Sequence, residues 1–275
     1  MKDYQHIVLT RFNIQYEDGW MQHLQEEWLN SRFSLFENYC LPSMLNQTCQ
    51  DFKWILLSDE RTPEPYRTRL LAYRETMPQI DVVFWAPHYE DDYHEMLQQL
   101  GERLVGNHDW LLSSRLDNDD MLEQTYIERI HKYAETQVLT NSILTYLNGS
   151  QYFVKEGISF KVGYQYNHFS TFCEEKGNIH TSLGMNHVLV PKRKLLLIET
   201  AKDMWCEIVH SSNICNDYVP KYHYYWQQPH GQYPIALPIT PWWKHIPFLV
   251  PRWFSFRLAQ FKRLKHRILR CGRSV

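Results

Sequence analysis

"WLLSSRLDNDD", residues 110–120, decides how this chain is read. An apolar run from Trp110 to Leu116 stops at Asp117, Asn118, Asp119 and Asp120. Close carboxylates are costly together unless a cation or hydrogen bonds compensate. A hard divalent ion with oxygen ligands does so, and it keeps open positions for substrate phosphates. The plainer reading makes Asp119 or Asp120 the cap of a helix starting near Leu122. One cap needs one Asp, and this stretch supplies three. A calcium loop is excluded, because the spaced ligands, the Gly and the closing Glu are missing. A phosphatase-type D-x-D-x-(T/V) element is excluded because Met121 holds its last position.

The flanking sequence gives the stretch a setting. HIVLTRFNI (6–14), FKWILLSDE (52–60), IDVVFW (80–85) and DWLLSSRL (109–116) read as strands. Helical patterns lie between them. Leu29, Phe33, Phe36, Cys40 and Met44 form one apolar face, with a break or kink expected near Leu41 because Pro42 follows. TPEPYRTRLLAYRETM (62–77) opens with a helix-start signal at Thr62-Pro63. Residues 91–105 put Met96, Leu97, Leu100 and Leu104 on one side, and 122–135 reads as a further helix. Such alternation predicts a parallel sheet covered by helices. Ligands of these sheets sit beyond the carboxyl ends of the strands. Arg11, Asp59 and Asp117–Asp120 all lie there, so they are expected to line one crevice.

Residues 137–200 are less regular. VLTNSILTYLNGSQYFV (138–154) reads as a hairpin turning at Asn148-Gly149. HVLVPKRKLLLIET (187–200) reads as a strand and a helix start. From residue 220, prolines and aromatics crowd into an irregular segment.

The 275 residues suit one large α/β domain or two small ones. With 44% hydrophobic and 22% charged residues, the chain is of globular type. Aromatics at 15% suit a large core and also surfaces that stack on sugar rings. The net charge of −2 conceals a split: residues 1–217 hold 19 basic and 31 acidic residues, and residues 218–275 hold ten basic and none acidic. These two parts are taken as a ligand-binding unit and a basic extension. None of the six cysteines has C-x-x-C spacing, which argues against a zinc ribbon or redox dithiol. The first residues lack a signal-type apolar core, and no run reaches the length of a membrane span. A cytosolic setting with reduced thiols is expected.

LPSMLNQTCQDFKWILLSDERT followed by WLLSSRLDNDDML resembles the inverting glycosyltransferases of the A-type fold. More narrowly, TRFNI, PSMLNQT, RLDNDD and WCEIVHSSN make the chain similar to a rhamnosyltransferase-like family of bacterial surface-polysaccharide enzymes. The resemblance implies a Rossmann-like mixed sheet flanked by helices. It implies transfer of a sugar from a nucleoside-diphosphate sugar to a glycan or lipid-linked glycan, with Mn²⁺ or Mg²⁺ neutralising the leaving diphosphate. By that resemblance Asp59 contacts the nucleobase and Arg11 lies near the nucleotide. Asp117 faces the ribose or the metal, and Asp119 binds the metal. Arg115 either adds a cationic donor or pairs with Asp117. His210 is a candidate to complete the metal shell.

An inverting transfer needs a base for the acceptor's proton. Asp203, 86 residues after Asp117, is chosen over Glu199 and Glu174. The family's E-D dipeptide is missing after the acidic row, where residues 174–175 are Glu-Glu, and its A-R-N element is missing before it. A nucleotidyltransferase wants a Gly-rich loop after the first strand, and TRFNIQYEDG offers only Gly19. A non-catalytic glycan- or membrane-binding protein is the other alternative.

The tail carries a separate expectation. On a helical wheel over 252–270, Phe254, Leu258, Phe261, Leu264 and Ile268 share a face, and Arg252, Arg263, Arg267 and Arg270 lie opposite. PWWKHIPFLVPRWF (241–254) adds tryptophans, which favour membrane interfaces. An anionic membrane surface is the expected partner. No nucleic-acid motif is present.

Overall fold

The computed structural model describes residues 3–15, 21–85, 92–184, 194–198, 200–211, 223–226, 232–255 and 257–258. Four parallel strands form its centre: β1 (Tyr4–Asn13), β2 (Lys53–Asp59), β3 (Ile80–Trp85) and β4 (Trp110–Arg115). β1 pairs with β2 on one side and with β4 on the other. Chain order therefore reverses beside β1, which opens a crevice between the carboxyl ends of β1 and β4.

Side chains alternate across this sheet. Val8, Leu56 and Leu112 enter one core with Leu29, Phe33 and Phe36 of the first helical segment. Ile7, Leu9, Ile55 and Leu57 enter a second core with Leu97 and Leu100 of α4 (Asp92–Val105). Both faces are covered, as a parallel sheet requires.

The first helical segment does not break at Pro42. It runs from α1 (Glu26–Leu35) through a π-helical turn, Phe36–Cys40, into α2 (Leu41–Leu45). The Leu41 N–H donates to Phe36 O, five residues back. A proline ring clashes with the carbonyl four residues earlier. The wider turn ahead of Pro42 accommodates that clash, so the backbone stays helical. α3 (Glu64–Thr76) starts where the Thr62-Pro63 signal placed it.

Strand β9 (Thr171–Glu175) lies antiparallel between β4 and β6 (Ser142–Tyr146), and β10 (Lys194–Ile198) closes the seven-stranded sheet. A second sheet has the order β12 (His223–Trp226), β8 (Ile158–Gly163), β7 (Asn148–Phe153), β11 (Trp205–Val209), β5 (Met121–Leu122). The hairpin expected across Asn148-Gly149 is absent. β6 and β7 belong to different sheets, and the hairpin is β7–β8, closing near Gly157 at φ +60°. Gly149 is instead a close approach: a Cβ there would meet the Trp205 ring at 2.0 Å. Residues beyond 217 also pack on this second sheet. Tyr233, Ile235, Leu237 and Ile239 lie on Met121, Tyr152 and Ile208. Phe248 packs on Phe153 and Phe160.

One polar chain crosses the first core. His6 Nδ1 meets His131 Nε2 at 2.9 Å and His6 Nε2 meets Ser114 Oγ at 2.8 Å; Ser114 Oγ then meets Thr171 Oγ1 at 2.5 Å. His131 comes from α5 (Tyr126–Thr136). Burial, then the neighbouring His131, holds His6 well below the usual imidazole pKa. Burial likewise lowers His131. Both rings are therefore neutral in the fold, and unfolding lets them bind protons. This contribution is complete above the unfolded value, about 6.5, and falls as pH drops below it. We expect thermal midpoints to fall from pH 7 to pH 5, with a smaller slope in His6→Asn than in wild type. Equal slopes would exclude His6 as the source.

Candidate functional site

The acidic row at the end of β4 does not cap a helix. Leu122 lies in β5, and α5 begins only at Tyr126. Ahead of α5, the carboxylate of Glu123 accepts the Thr125 N–H at 2.7 Å. The four residues 117–120 instead turn in four directions, each to its own partner. Asp117 takes a two-pronged bond from Arg115, at 3.0 and 2.7 Å. Asn118 donates to Phe12 O at 2.7 Å. Asp119 Oδ2 accepts from Arg32 at 2.7 Å and lies 2.8 Å from His210 Nε2. Asp120 Oδ1 accepts the Ile208 N–H at 2.8 Å, and Oδ2 faces His168 Nε2 at 3.0 Å.

Charge follows from this arrangement. Burial opposes ionisation of Asp117, but the charges of Arg115, Arg11 and His168 outweigh it and hold the carboxyl well below the usual range. Burial, with the negative charges of Asp119 and Asp117, pushes Asp120 well above that range. Burial lowers His168 despite the nearby Asp117. On β11, burial pushes Glu207 up to about 7, opposed by His168 and raised further by Asp120. Glu207 is 7% exposed and takes a short hydrogen bond from Gln151.

Asp117, Asp120 and His168 each bring a ligand atom within 4.8 Å of the others. Two carboxylates suit Mn²⁺ or Mg²⁺, and the imidazole makes the softer Mn²⁺ the better fit of the two. A cation would offset the burial and the neighbouring charges that keep Asp120 from ionising, so the donor set fits the expected metal. Of the ligands read from sequence, the structure joins Asp119 to His210, and it sets Asp117 with Asp120 and His168. Arg11, half-buried on β1, bonds Tyr93 and acts on Asp117 through its charge.

A second polar group lies at the ends of β1 and β2. Asp59 is 1% exposed. Its Oδ1 accepts the Arg61 backbone N–H at 2.8 Å and Arg61 Nε at 2.9 Å. Its Oδ2 accepts Arg61 Nη2 at 2.7 Å and His23 Nε2 at 2.9 Å. Burial opposes ionisation here too, but these bonds from Arg61 and His23 outweigh it and keep Asp59 ionised far below the usual range. Asn13 Nδ2 donates to Thr62 Oγ1 at 2.8 Å and ties the two strand ends together.

Asp203 lies apart from these partners. Its side chain is fully buried, Ser150 Oγ donates to Oδ2 at 2.6 Å, and Lys161 Nζ stands 4.0 Å from Oδ1. Glu174 is also buried and accepts the His180 and Thr181 N–H groups. Glu199 lies outside the described residues. Sequence reasoning passed over Arg32, His168, His23 and Arg61, and it met Glu207 only as one of several carboxylates after the acidic row. Arg61 left a signal, as a cation two residues past a strand-end Asp.

Among solved structures, the chain is similar to residues 1–349 of TarS from S. aureus, at 8% identity and TM-score 0.43, over 76% of this chain and 60% of that one. It is similar to the longer TarS chain at 10% identity and TM-score 0.42, over 76% and 37%. For the TarS 1–349 complex with UDP the values are 11% and 0.31, over 53% and 35%. The chain thus spans less than two thirds of each of these proteins. No curated protein matches it by sequence. A family described as "Putative rhamnosyl transferase" matches residues 7–222, a range that runs from β1 past β11 and includes both strand-end groups. The chain belongs to that family, and its mixed sheet is flanked by helices.

Proposed function

We propose that this protein moves a sugar from a nucleoside-diphosphate sugar to a bacterial surface polysaccharide or lipid-linked glycan, with inversion and with a divalent cation. The observation that carries the reading is the acidic group at the β1–β4 crevice, where Asp117, Asp120 and His168 converge. Asp119 and His210, joined at 2.8 Å, add a second carboxylate–imidazole pair from the same loop and from the end of β11. When bound, the cation offsets charge on the departing diphosphate. Arg11 and Arg115 add positive charge at the same edge.

The acceptor hydroxyl must lose its proton to a group that can touch it. Asp203, the sequence-based choice, has its carboxylate fully buried against Ser150 and Lys161. Glu207 fits the role better: it lies on β11, next to Ile208, whose N–H holds Asp120. A base held near 7 suits proton transfer at neutral pH.

The membrane face belongs to the same reading. Trp242, Trp243, Ile246, Val250, Trp253, Phe254 and Leu258 are all large, apolar and exposed. Lys244, Arg252 and Arg257 lie among them. Among the described residues no helix is long and apolar enough to cross a membrane. Most of the tail wheel lies outside the described residues; of its apolar face, Phe254 and Leu258 are seen and are exposed. This patch fits contact with an anionic bilayer that carries the acceptor.

Three measurements test these assignments. Calorimetry with UDP, dTDP and GDP should show Mn²⁺-dependent binding of one of them, weakened about tenfold or more in Asp119→Asn. No binding in any condition would end the sugar-transfer reading. Glu207→Gln should keep nucleotide binding and lose about 10²-fold in diphosphate release from the donor sugar. Full turnover in that variant removes Glu207 from the reaction. The protein should sediment with phosphatidylglycerol vesicles at low salt and not with phosphatidylcholine vesicles, and Trp253→Ser with Phe254→Ser should release it.

A further inference from the structure

Within the sugar-transfer reading, the donor's nucleoside extends along the sheet edge from the diphosphate, and the next strand end beyond β1 is β2. The resemblance gives Asp59 the contact with the base there. A carboxylate reads a base by accepting an N–H, and it has about four lone-pair positions to offer. Arg61 and His23 fill four such positions on Asp59, all between 2.7 and 2.9 Å. An ionised carboxylate only accepts, so His23 Nε2 carries its proton. The Asp59 side chain has no exposure, whereas that of Arg61 is 41% exposed. Asp59 is covered, and the group covering it is a guanidinium.

The donors of Arg61 can be counted. Nε–H goes to Asp59 Oδ1, and one Nη2 hydrogen goes to Asp59 Oδ2. The other Nη2 hydrogen goes to Gln15 Oε1 at 2.8 Å. Nη1 has only a weak contact with Met21 Sδ at 3.7 Å. A planar, permanently charged fork is thus fixed along one edge and presents Nη1 outward. It can donate to a ligand, and it cannot accept from one.

We infer that Arg61, held by Asp59 and Gln15, with His23 bonded to Asp59 behind it, is the group that meets the donor's nucleobase, and that it selects a base with a keto oxygen. Uracil, thymine and guanine carry such an oxygen where cytosine and adenine carry an amino group. Asp59 and His23 are then positioning residues that fix the fork, and the Asp59–Arg61 ion pair keeps it in place without a ligand.

The test is calorimetric titration of wild type, Arg61→Ala, Arg61→Lys and Asp59→Asn with UDP, dTDP, GDP, CDP and ADP in the presence of Mn²⁺. Wild type should favour a keto-base diphosphate over its amino counterpart, UDP over CDP or GDP over ADP, by about tenfold or more. Arg61→Ala should bring that ratio near one while diphosphate-driven binding persists. Arg61→Lys keeps the charge without the fork, should also lose the ratio, and serves if Arg61→Ala does not fold. Asp59→Asn should blunt the ratio less than Arg61→Ala does. A wild-type ratio retained in both Arg61 variants overturns the inference and leaves sugar transfer intact. So does a ratio lost only in Asp59→Asn. Failure of every diphosphate to bind wild type ends both.

Discussion

The structure depends on how it compensates three carboxylates within four residues at the end of a buried strand. Two unit charges about 4 Å apart repel by about 4 kcal/mol at an effective dielectric near 20. That is a large part of the stability of an ordinary domain. The loop after β4 divides this load. Arg115 takes Asp117, Arg32 and His210 take Asp119, and a backbone N–H of β11 takes Asp120. Asp120, which receives no full positive charge of its own, is the carboxyl pushed upward. Burial and the two neighbouring carboxylates are the cause, and in the proposed reading a bound cation would offset both.

This compensation also joins the two sheets. The Ile208 N–H bond to Asp120 links β11 of the second sheet to the loop that ends β4 of the first. Arg32 brings in α1, and the Asn118 bond to Phe12 O brings in β1. A buried carboxylate left without its partner is expensive, so this network opposes a shift of one sheet against the other.

Much of the first half was legible in the sequence, for a physical reason. Parallel strands buried on both faces must be nearly continuous apolar runs, and they end where polar residues begin. That placed β1 to β4, and with them Arg11, Asp59 and Asp117. The second sheet was harder to read. Asn148-Gly149 carries a turn signature, yet Gly149 serves to admit the Trp205 ring. A glycine kept for close approach and one kept for a turn look alike in sequence. Pro42 marks an irregularity and not an end of the helix, since a π-helical turn can accommodate what a regular helix cannot. His168 sits on the loop before β9 and had no motif around it; only tertiary folding brings it to Asp120.

The two strand-end arginines show what a motif leaves unsaid. Arg115–Asp117 and Asp59–Arg61 are both pairs two residues apart, and in both the guanidinium grips the carboxylate with two bonds. A pattern of residue types treats them as equivalent. Their exposures are opposite: at β4 the carboxylate is 26% exposed and the arginine 12%, and at β2 the carboxylate is 0% exposed and the arginine 41%. One strand end therefore presents negative charge, and the other presents a hydrogen-bond donor. The proposed ligand, a nucleoside diphosphate with its cation, would need both along one edge: carboxylate oxygens for the metal, and a donor for a base oxygen. Which partner of each ion pair faces outward is set by the loop that follows the strand, and that loop decides which chemistry a shared pair of residues can perform.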